Sequence, residues 1–295
     1  MKRVMLIINP HSGKLKNKAT LYDIIKVMSD NDALVTTCFT KKEGDALSFS
    51  RYACDCGEYD LIVCSGGDGT LNETVAGITD SENKLPLGYI PSGSTNDYAR
   101  SVGIPSNPRL AAKNAVCGHP HSIDVGDIDN RHFNYIASFG AFTSASYNAP
   151  QSLKNLMGHM AYVLAGLKDF GNLKSTHVKI ECEDNSYEGD YIFGAITNTT
   201  SIGGIVKLDD NLVGFNDGLF EVCLVKTPQN PADAVKIIMG ALNSDFSDSS
   251  FEFFKASSLE ITVPDKTPWS LDGEKYVSGE KISVKIIKSA ITLLL

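Results

Sequence analysis

The sequence predicts a two-domain protein in which an open α/β domain is followed by a β-rich domain. The first 125 residues alternate short apolar runs with segments of helical periodicity, whereas Gly- and Asn-punctuated strands follow Asp124. The length of 295 residues is enough for two domains of ordinary size. We therefore expect residues 1–125 to form the first domain and residues 126–295 the second, with the last residues able to pack back on the first.

Four strands and five helices are expected in the first domain. The strands are apolar throughout, which indicates burial on both faces of a parallel sheet that helices cover. They are expected at Val4–Ile8, Val35–Thr40, Leu61–Ser65 and Leu87–Ile90. The first helix is indicated by apolar residues at helical spacing, Leu21, Ile24, Ile25 and Met28. The other helices are expected over 44–56, 70–79, 95–102 and 108–117.

The second domain is expected to be an antiparallel sheet or a β-sandwich with inserted helices. Its strands are predicted at 132–139, 177–183, 190–197, 218–226, 251–254, 259–263, 269–272 and 281–287. A segment from Leu153 to Leu167 keeps a helical period, and a second helix is predicted to begin at Pro231. The Leu and Met stripe of the first of these helices is interpreted as core packing in preference to a lipid-facing groove.

The composition argues against several classes of function. The formal net charge of −8 disfavours nucleic-acid binding, which needs basic surfaces to neutralise phosphates. The 7 cysteines are odd in number and include no CxxC pair, which favours reduced thiols in a cytoplasmic protein. The apolar run Val4–Ile8 is too short for a secretory segment, and no stretch approaches the roughly 20 residues that span a bilayer. Any membrane contact is therefore expected to be peripheral.

The most informative segment is Ser65-Gly66-Gly67-Asp68-Gly69-Thr70-Leu71-Asn72-Glu73, which follows a predicted strand and opens a predicted helix. Its glycines permit positive φ and a close approach of ligand to backbone, and a helix N-terminus presents N–H groups and a partial positive charge. This arrangement is typical of phosphate binding. Asn72 takes the last glycine position of G-x-G-x-x-G, and G-x-x-x-x-G-K-[ST] does not occur, so dinucleotide and P-loop signatures are disfavoured.

Two further polar loops follow strands in the same half of the chain. They are Asn9–Lys14 after the first strand and Pro91–Arg100 after the fourth. Because an open α/β sheet collects its ligands at the carboxyl ends of its strands, the three loops predict a nucleotide site. Asp68 and Asp97 are expected at that edge, with Asp124 nearby. Three carboxylates beside phosphates repel one another unless a hard cation intervenes, which favours Mg²⁺ bound with the nucleotide.

A pair of acids in the second half of the chain is a candidate for proton transfer. Asp272 and Glu274 flank Gly273 directly after a short predicted strand. A carboxylate at this place can accept a proton from a substrate hydroxyl. Asp-Gly-Glu is also a common turn sequence, so the motif alone leaves both interpretations open.

Four motifs resemble, in residue types and in order, those of the diacylglycerol kinase catalytic family, and more narrowly of its compact soluble bacterial lipid kinases. They are Asn9-Pro10-x-Ser12-Gly13, Gly66-Gly67-Asp68-Gly69-Thr70, Pro91-x-Gly93-Ser94-x-Asn96-Asp97-Tyr98-Ala99-Arg100 and Asp272-Gly273-Glu274. The resemblance covers nearly the whole chain. It implies a nucleotide domain related to those of NAD kinases and phosphofructokinases, a β-sandwich-like domain that receives the lipid, and an active site in the interdomain cleft. Ser94 stands where the family usually has Thr, and Tyr98 where Phe is common.

The resemblance also implies residues that bind ATP and Mg²⁺. The nucleotide-binding residues are Asn9, Ser12, Gly13, Lys14, Thr40, Gly66, Gly67, Asp68, Gly69, Thr70, Asn72, Ser94 and Asn96. Asp68, Asp97 and Asp124 are similar to the acidic network that surrounds the catalytic Mg²⁺ through water.

Further roles in the second domain follow from the same resemblance. Glu274 is similar to the proton acceptor of the family, with Asp272 in support. A second, structural Mg²⁺ is implied at the carboxylate of Asp217, with the backbone carbonyls of Gly214 and Leu219.

The function implied is transfer of the γ-phosphoryl group of ATP to a lipid hydroxyl, most specifically that of diacylglycerol to give phosphatidic acid. A sphingoid base, phosphatidylglycerol or NAD remains an alternative acceptor, because NAD kinases share the Gly-Gly-Asp-Gly motif. A catalytically silent nucleotide-binding regulator is the alternative from another class, although the retained carboxylates argue against it.

The expected partner is a lipid at a membrane surface, contacted transiently from the cytoplasm, with no nucleic acid and with a homodimer left open. The net charge opposes attraction to anionic lipid, so a local basic patch at Lys14, Lys16 and Lys18 is a candidate for that contact.

Overall fold

The computed structural model describes residues 1–13, 18–93, 96–140, 174–183, 185–202, 206–207 and 213–295. The chain divides into two compact units. The first contains Met1–Val125 together with Lys288–Leu295, and the second contains Gly126–Ile287. The C-terminal residues belong to the first unit through backbone pairing, since the N–H and carbonyl groups of Leu295 bond those of His119 at 2.9 and 2.7 Å.

The first unit is a parallel sheet with intervening helices. Its strands are β1 (Lys2–Ile8), β2 (Ala33–Phe39), β3 (Leu61–Gly66) and β4 (Leu87–Pro91). Its helices are α1 (Lys18–Asp30), α2 (Asp45–Cys56), α3 (Asp68–Thr79), α4 (Asp97–Ser101) and α5 (Pro108–Cys117). The strand order is β4-β3-β1-β2, with every neighbouring pair parallel. The predicted open α/β sheet is confirmed.

Burial along the strands follows their position in the sheet. β3 and β4 are buried at every residue, as the continuous apolar runs predicted for central strands. β2 pairs with β1 alone among the strands described, and its Leu34 and Phe39 are exposed. Neighbouring elements bury fewer of the side chains of an edge strand, and the sequence of β2 is therefore less uniformly apolar.

The strand order reverses at β1. The chain runs from β1 outward to β2 and then returns to the other side of β1 to form β3. The loops after β1 and β3 therefore leave the sheet on either side of a topological switch point. Open α/β sheets bind ligands outside the carboxyl ends of the strands at such a point.

The second unit consists mainly of antiparallel strands. Their bounds are β5 (Pro120–Ile128, which begins in the first unit), β6 (Arg131–Phe133), β7 (Ile136–Gly140), β8 (Thr176–Cys182), β9 (Asn185–Thr197), β10 (Ser201–Ile202), β11 (Val206–Lys207), β12 (Phe220–Lys226), β13 (Phe251–Ala256), β14 (Ser258–Thr262), β15 (Pro268–Leu271), β16 (Glu274–Val277) and β17 (Lys281–Leu294, which ends in the first unit). One helix among the described residues of this unit, α6 (Pro231–Asn243), begins at the predicted proline.

The long strand β9 joins two parts of the antiparallel sheet. Its first half pairs with β8, which continues to β14 and β17, and its second half lies between β7 and β12. Both parts contribute side chains to one core, which includes Phe133, Ile180, Tyr191, Phe220 and Trp269. The predicted β-sandwich-like second half is confirmed in this form.

The structure differs from the predicted strands in several places. β5, β10, β11 and β16 were not predicted, and β9 begins at Asn185, ahead of the predicted start at 190. The single strand predicted at 132–139 is divided into β6 and β7, because the N–H groups of Asn134 and Tyr135 are bonded by a side chain, that of Asp272. The last strand continues to Leu294, seven residues beyond the predicted end at 287. A polar interruption at Ser289, with φ of 51°, hides this continuation in the sequence.

Some predictions lie outside the described residues, namely the helix over Leu153–Leu167 and the positions Lys14, Lys16 and Ser94. Within the described ranges, no helix is both long enough and apolar enough to cross a membrane.

Candidate active site

The loops that follow β1, β3 and β4 are joined by hydrogen bonds at the carboxyl edge of the first unit's sheet. The backbone N–H of Asn9 donates to the Ser65 carbonyl at 2.9 Å, and the Asn9 side-chain amide donates to the Thr70 hydroxyl at 3.0 Å. The backbone N–H of Ser92 donates to the Gly66 carbonyl at 2.8 Å. The three polar loops identified in the sequence therefore share one edge of the sheet.

Glycines allow two of these loops to approach each other closely. A Cβ atom placed on Gly93 would lie 2.7 Å from the Cα of Gly67, and one on Gly66 would lie 2.6 Å from the Cβ of Thr70. A side chain at Gly93 would push the two loops apart, and one at Gly66 would displace the Thr70 side chain within the same segment. α3 begins at Asp68 without a side-chain cap on its first turn, which is the arrangement that phosphate-binding helix N-termini use.

Asn96 shapes the loop that precedes α4. Its side-chain Oδ1 accepts from the Gly93 N–H at 2.8 Å, and its Nδ2 donates to the Gly93 carbonyl at 2.9 Å. Its φ of 51° lies in the left-handed region, which Asn adopts more readily than most residues. Asn96 therefore acts on the loop's shape through both hydrogen-bonding groups of its amide.

Asp97 follows Asn96 and its side chain is 18% exposed. Burial raises the pKa of this carboxyl, and the nearby guanidinium of Arg100, at 3.3 Å, opposes the shift. A cation beside this partly buried carboxylate, in addition to Arg100, would stabilise its ionised form. Carboxylate oxygens are among the ligands that Mg²⁺ prefers.

The loop after β1 and the end of β2 complete this edge. The backbone N–H of Ser12 donates to the Asn9 carbonyl at 3.2 Å, and that of His11 donates to the Asn9 side-chain oxygen at 3.0 Å. The N–H of Thr40 donates to the Ile8 carbonyl at 2.9 Å. Ser12 and Thr40 are both largely buried, so their positions are set by the backbone around them.

The third predicted acid of the Mg²⁺ network is held by the C-terminal strand. Asp124 is fully buried, and its Oδ1 accepts from the Ser289 N–H at 2.6 Å. The residues that the structure describes contain no group of three or more His, Cys, Asp or Glu side chains placed to ligate one ion directly. The assignment of Asp68, Asp97 and Asp124 to a water-mediated Mg²⁺ site therefore stays a prediction.

In the second unit, Asp272 and Gly273 form the two-residue turn of the β15–β16 hairpin. Their φ angles are 50° and 88°, and positive values at both central residues are typical of a type I′ hairpin turn. The buried carboxylate of Asp272 accepts hydrogen bonds from the backbone N–H groups of Asn134, Tyr135 and Ile136 at 2.5, 3.0 and 3.0 Å. The turn is therefore fixed to the segment that precedes β7.

Glu274 is the first residue of β16 and is exposed. It follows the fixed turn directly and pairs with Leu271 across the hairpin. A backbone held at this point limits where the Glu274 carboxylate can go, which is what a proton-accepting side chain requires.

The turn predicted to hold a structural Mg²⁺ already contains a protein cation. The Asp217 carboxylate accepts from the Leu219 N–H at 3.0 Å and pairs with the Lys255 ammonium at 3.1 Å, while the Asp217 N–H donates to the Gly214 carbonyl at 3.4 Å. Lys255 also pairs at 3.2 Å with Glu221, whose side chain is fully buried. Burial raises the pKa of Glu221 to about 7, against the opposing effect of Lys255. The metal assignment at Gly214, Asp217 and Leu219 stays a prediction.

Comparison with known proteins identifies the family. The family model described as "Diacylglycerol kinase catalytic domain" matches residues 3–128. A curated diacylglycerol kinase of Bacillus subtilis (strain 168) is 35% identical over 278 residues, which cover 93% of this chain and 90% of the relative. The chain belongs to the diacylglycerol kinase family. It is therefore an enzyme of the lipid kinase class, and the family predicted from the sequence is confirmed.

Other members of the diacylglycerol kinase family support the match along the whole chain. A curated diacylglycerol kinase of Staphylococcus epidermidis is 33% identical over 274 residues, covering 92% of this chain and 86% of the relative. A crystal structure of a candidate diacylglycerol kinase from Bacillus anthracis str. Sterne has a TM-score of 0.82 and 26% identity, with 99% of this chain and 96% of that chain covered. The likeness therefore extends to the second unit, beyond the residues that the family model matches.

Two residues that shape this candidate site were not predicted from the sequence. The hydroxyl of Tyr89 donates to the Gly66 carbonyl at 3.3 Å, from within β4. Glu73 accepts hydrogen bonds from the backbone of the loop after β2, in which Gly44 lies 29 residues away. Glu73 stands inside the glycine-rich motif, which is a signal, but its partners are too distant in sequence for a local pattern to reveal them.

Proposed function

We propose that this member of the diacylglycerol kinase family transfers the γ-phosphoryl group of ATP to the hydroxyl of diacylglycerol, giving phosphatidic acid. The observation that carries the proposal is the convergence of the loops after β1, β3 and β4, through the Asn9–Thr70 and Ser92–Gly66 hydrogen bonds. It occurs in a chain that is 35% identical to a curated diacylglycerol kinase.

The phosphates of ATP are proposed to lie against the N-terminus of α3. Backbone N–H groups and the helix dipole attract phosphate there, and Gly67, the N-cap of α3, has no side chain. Asn9 and Thr70, already bonded to each other, offer an amide and a hydroxyl at the same edge. The other residues proposed to bind ATP are Ser12, Gly13, Lys14, Thr40, Asp68, Gly69, Asn72, Ser94 and Asn96.

Mg²⁺ is proposed to be held through water by Asp68, Asp97 and Asp124, whose carboxylate oxygens are ligands that the ion prefers. When bound, Mg²⁺ supplies charge neutralisation on the phosphate oxygens during transfer.

Glu274 is proposed as the residue that accepts the proton of the attacking lipid hydroxyl. An ionised carboxylate within hydrogen-bond reach of the hydroxyl takes the proton as the hydroxyl oxygen bonds to the γ-phosphorus, and the bond from that phosphorus to the bridging oxygen breaks so that ADP leaves. Asp272 is proposed to act through Glu274 as a positioning residue, because its own carboxylate is occupied by backbone N–H groups.

The lipid acceptor requires contact with a membrane surface, and we propose that this contact is peripheral and transient. The net charge of −8 makes the overall interaction with an anionic bilayer unfavourable, so attraction to the membrane must come from a local part of the surface. The basic patch and a homodimer both stay predictions.

The experiment is transfer of labelled γ-phosphate from Mg²⁺-ATP to mixed micelles that contain diacylglycerol, a sphingoid base or phosphatidylglycerol, with NAD in parallel. Label on diacylglycerol is expected, and Glu274→Ala should lose the transfer while it still binds ATP. Label on another acceptor alone would support a kinase activity but show that diacylglycerol is not the substrate. ATP binding without transfer to any acceptor would overturn the proposal in favour of a regulator.

A further inference from the structure

We propose that Glu73 is a positioning residue for ATP, which holds the loop after β2 in register with the glycine-rich motif. This inference rests on the proposed function, since it assumes that ATP binds at that edge. Glu73 stands on α3, one turn beyond Thr70, and its effect on Thr40 would be transmitted along the loop between β2 and α2.

Both oxygens of the Glu73 carboxylate are engaged by the N-terminus of α2. Oε1 accepts from the Gly44 N–H at 2.9 Å, and Oε2 accepts from the Ala46 N–H at 3.1 Å. The N-cap of α2 is Gly44, with φ of 84° and no side chain to cap the helix. Glu73 therefore supplies from α3 the cap that α2 lacks, and the hydrogen bonds to a charged acceptor make it a strong one.

The loop that Glu73 holds is tied internally as a single turn. The Asp45 carboxylate accepts from the N–H groups of Lys41 and Lys42 at 2.7 and 3.1 Å. At its other end, the Thr40 N–H is bonded to the Ile8 carbonyl of β1 at 2.9 Å. A displacement at the start of α2 is therefore passed along a short, bonded segment to Thr40.

The two helices also pack directly, one turn further along α3 from Glu73. A Cβ atom on Gly77 would lie 2.1 Å from the Ser50 Oγ and 2.6 Å from the Leu47 carbonyl oxygen, so α2 and α3 are in close backbone contact there. This contact does not depend on the Glu73 carboxylate. Loss of Glu73 is therefore expected to loosen the N-terminus of α2 and its loop without separating the helices.

ATP that contacts both Thr40 and the Gly66–Thr70 segment needs these two elements at a fixed separation. If the loop after β2 is loose, its ordering must be completed when ATP binds, and that ordering reduces the affinity. Glu73 sets the separation before binding, because it belongs to the same helix as the glycine-rich motif. The predicted effect is on ATP affinity and KM, with kcat changed much less.

The test compares Glu73→Ala and Glu73→Gln with Asn107→Ala. Asn107 is a matched control, because its side chain also accepts from two backbone N–H groups at a helix start, those of Arg109 and Leu110, and lies outside the proposed ATP site. Affinity for Mg²⁺-ATP is measured by titration calorimetry without lipid, and Tm is measured for each protein. Glu73→Ala is expected to bind ATP about 10-fold more weakly, and Glu73→Gln, which keeps one acceptor oxygen, about threefold more weakly. Asn107→Ala should lower Tm and leave ATP affinity unchanged.

A double-mutant cycle tests the route through Thr40. The effects of Glu73→Ala and Thr40→Ala on ATP affinity should be less than additive, whereas those of Glu73→Ala and Ser12→Ala should add. Wild-type ATP affinity in Glu73→Ala with a lowered Tm would overturn the proposal, since Glu73 would then only cap α2. If Glu73→Ala does not fold, unchanged affinity in Glu73→Gln has the same meaning. Absence of lipid phosphorylation by a wild-type protein that binds ATP would refute the proposed function. The ATP affinities of the Glu73 variants would still test the role of Glu73.

Discussion

Replacement of Asp272 by Asn should destabilise the second unit more than it affects the chemistry. The Asp272 carboxylate is buried and accepts three backbone hydrogen bonds, from Asn134, Tyr135 and Ile136. Asn has nearly the same shape and tolerates the φ of 50° at this position, so the substitution changes hydrogen bonding with little added backbone strain.

The magnitude follows from these hydrogen bonds. A hydrogen bond to a charged acceptor contributes about 1.5–3 kcal/mol, and a buried donor left without an acceptor is destabilising by a similar amount. The amide oxygen of Asn retains part of the acceptor capacity, so we expect the free energy of unfolding to fall by about 2–4 kcal/mol. For a unit of this size, that corresponds to a fall in Tm of about 4–16 °C.

The assay is thermal unfolding of Asp272→Asn beside Glu274→Gln and Asp265→Asn, with lipid phosphorylation measured well below the lowest Tm. Glu274 and Asp265 are exposed, so the free energy of unfolding of both control variants should lie within about 0.5 kcal/mol of the wild-type value. Glu274→Gln should nevertheless lose most of its activity, whereas Asp265→Asn should keep it. An Asp272→Asn protein with wild-type stability and no activity would refute the reasoning, because Asp272 would then take part in the chemistry directly.

Two further predictions concern packing and charge. Gly93→Ala should weaken ATP binding by about 10-fold or more, because its Cβ would lie 2.7 Å from the Gly67 Cα; Gly279→Ala, with open space around it, is the control for calorimetry. Lys255→Met should lower the free energy of unfolding by about 1 kcal/mol at pH 8, because the buried Glu221 must then remain charged without its cation or take up a proton, and Glu221→Gln in the same chain should recover part of this loss. The loss should be larger at pH 8 than at pH 6 in denaturant titrations, since Glu221 is protonated below its pKa of about 7 and then needs no counter-ion. A loss that is equal at both pH values, or an Ala at Gly93 that binds ATP normally, would contradict the corresponding argument.

The strands of the first unit could be predicted from the sequence because their burial is a local property. β3 and β4 are buried at every residue and β1 from Val4 to Ile8, and each of the four predicted strands is found within two residues of its expected bounds. The glycine-rich loop could be predicted for a related reason. Gly93 packs against the backbone of Gly67 and Gly66 against the Thr70 side chain, so a residue without a side chain is required at both positions and the sequence shows it directly.

The second unit was predicted less completely because its irregularities depend on distant partners. The break between β6 and β7 is made by Asp272, which lies 138 residues after Asn134 in the chain. β16 was missed because its four residues are mostly exposed and carry no alternating pattern. In the same way, the partners of Glu73 are 27 and 29 residues away and are backbone groups, which leave no trace in residue types.

The candidate site residues of the first unit and those of the second therefore depend on different kinds of interaction. At the edge of the first unit's sheet, the positions of the loops are set mainly by backbone packing, and a Cβ atom at Gly93 would clash with the backbone of Gly67. Around Glu274, position is set by one buried carboxylate, that of Asp272, which ties a two-residue turn to the start of β7. A turn anchored by charge-assisted hydrogen bonds remains in place when the neighbouring surface side chains change. Substitutions around the hairpin should thus be tolerated as long as Asp272 is kept, whereas the glycine-rich edge should tolerate very few.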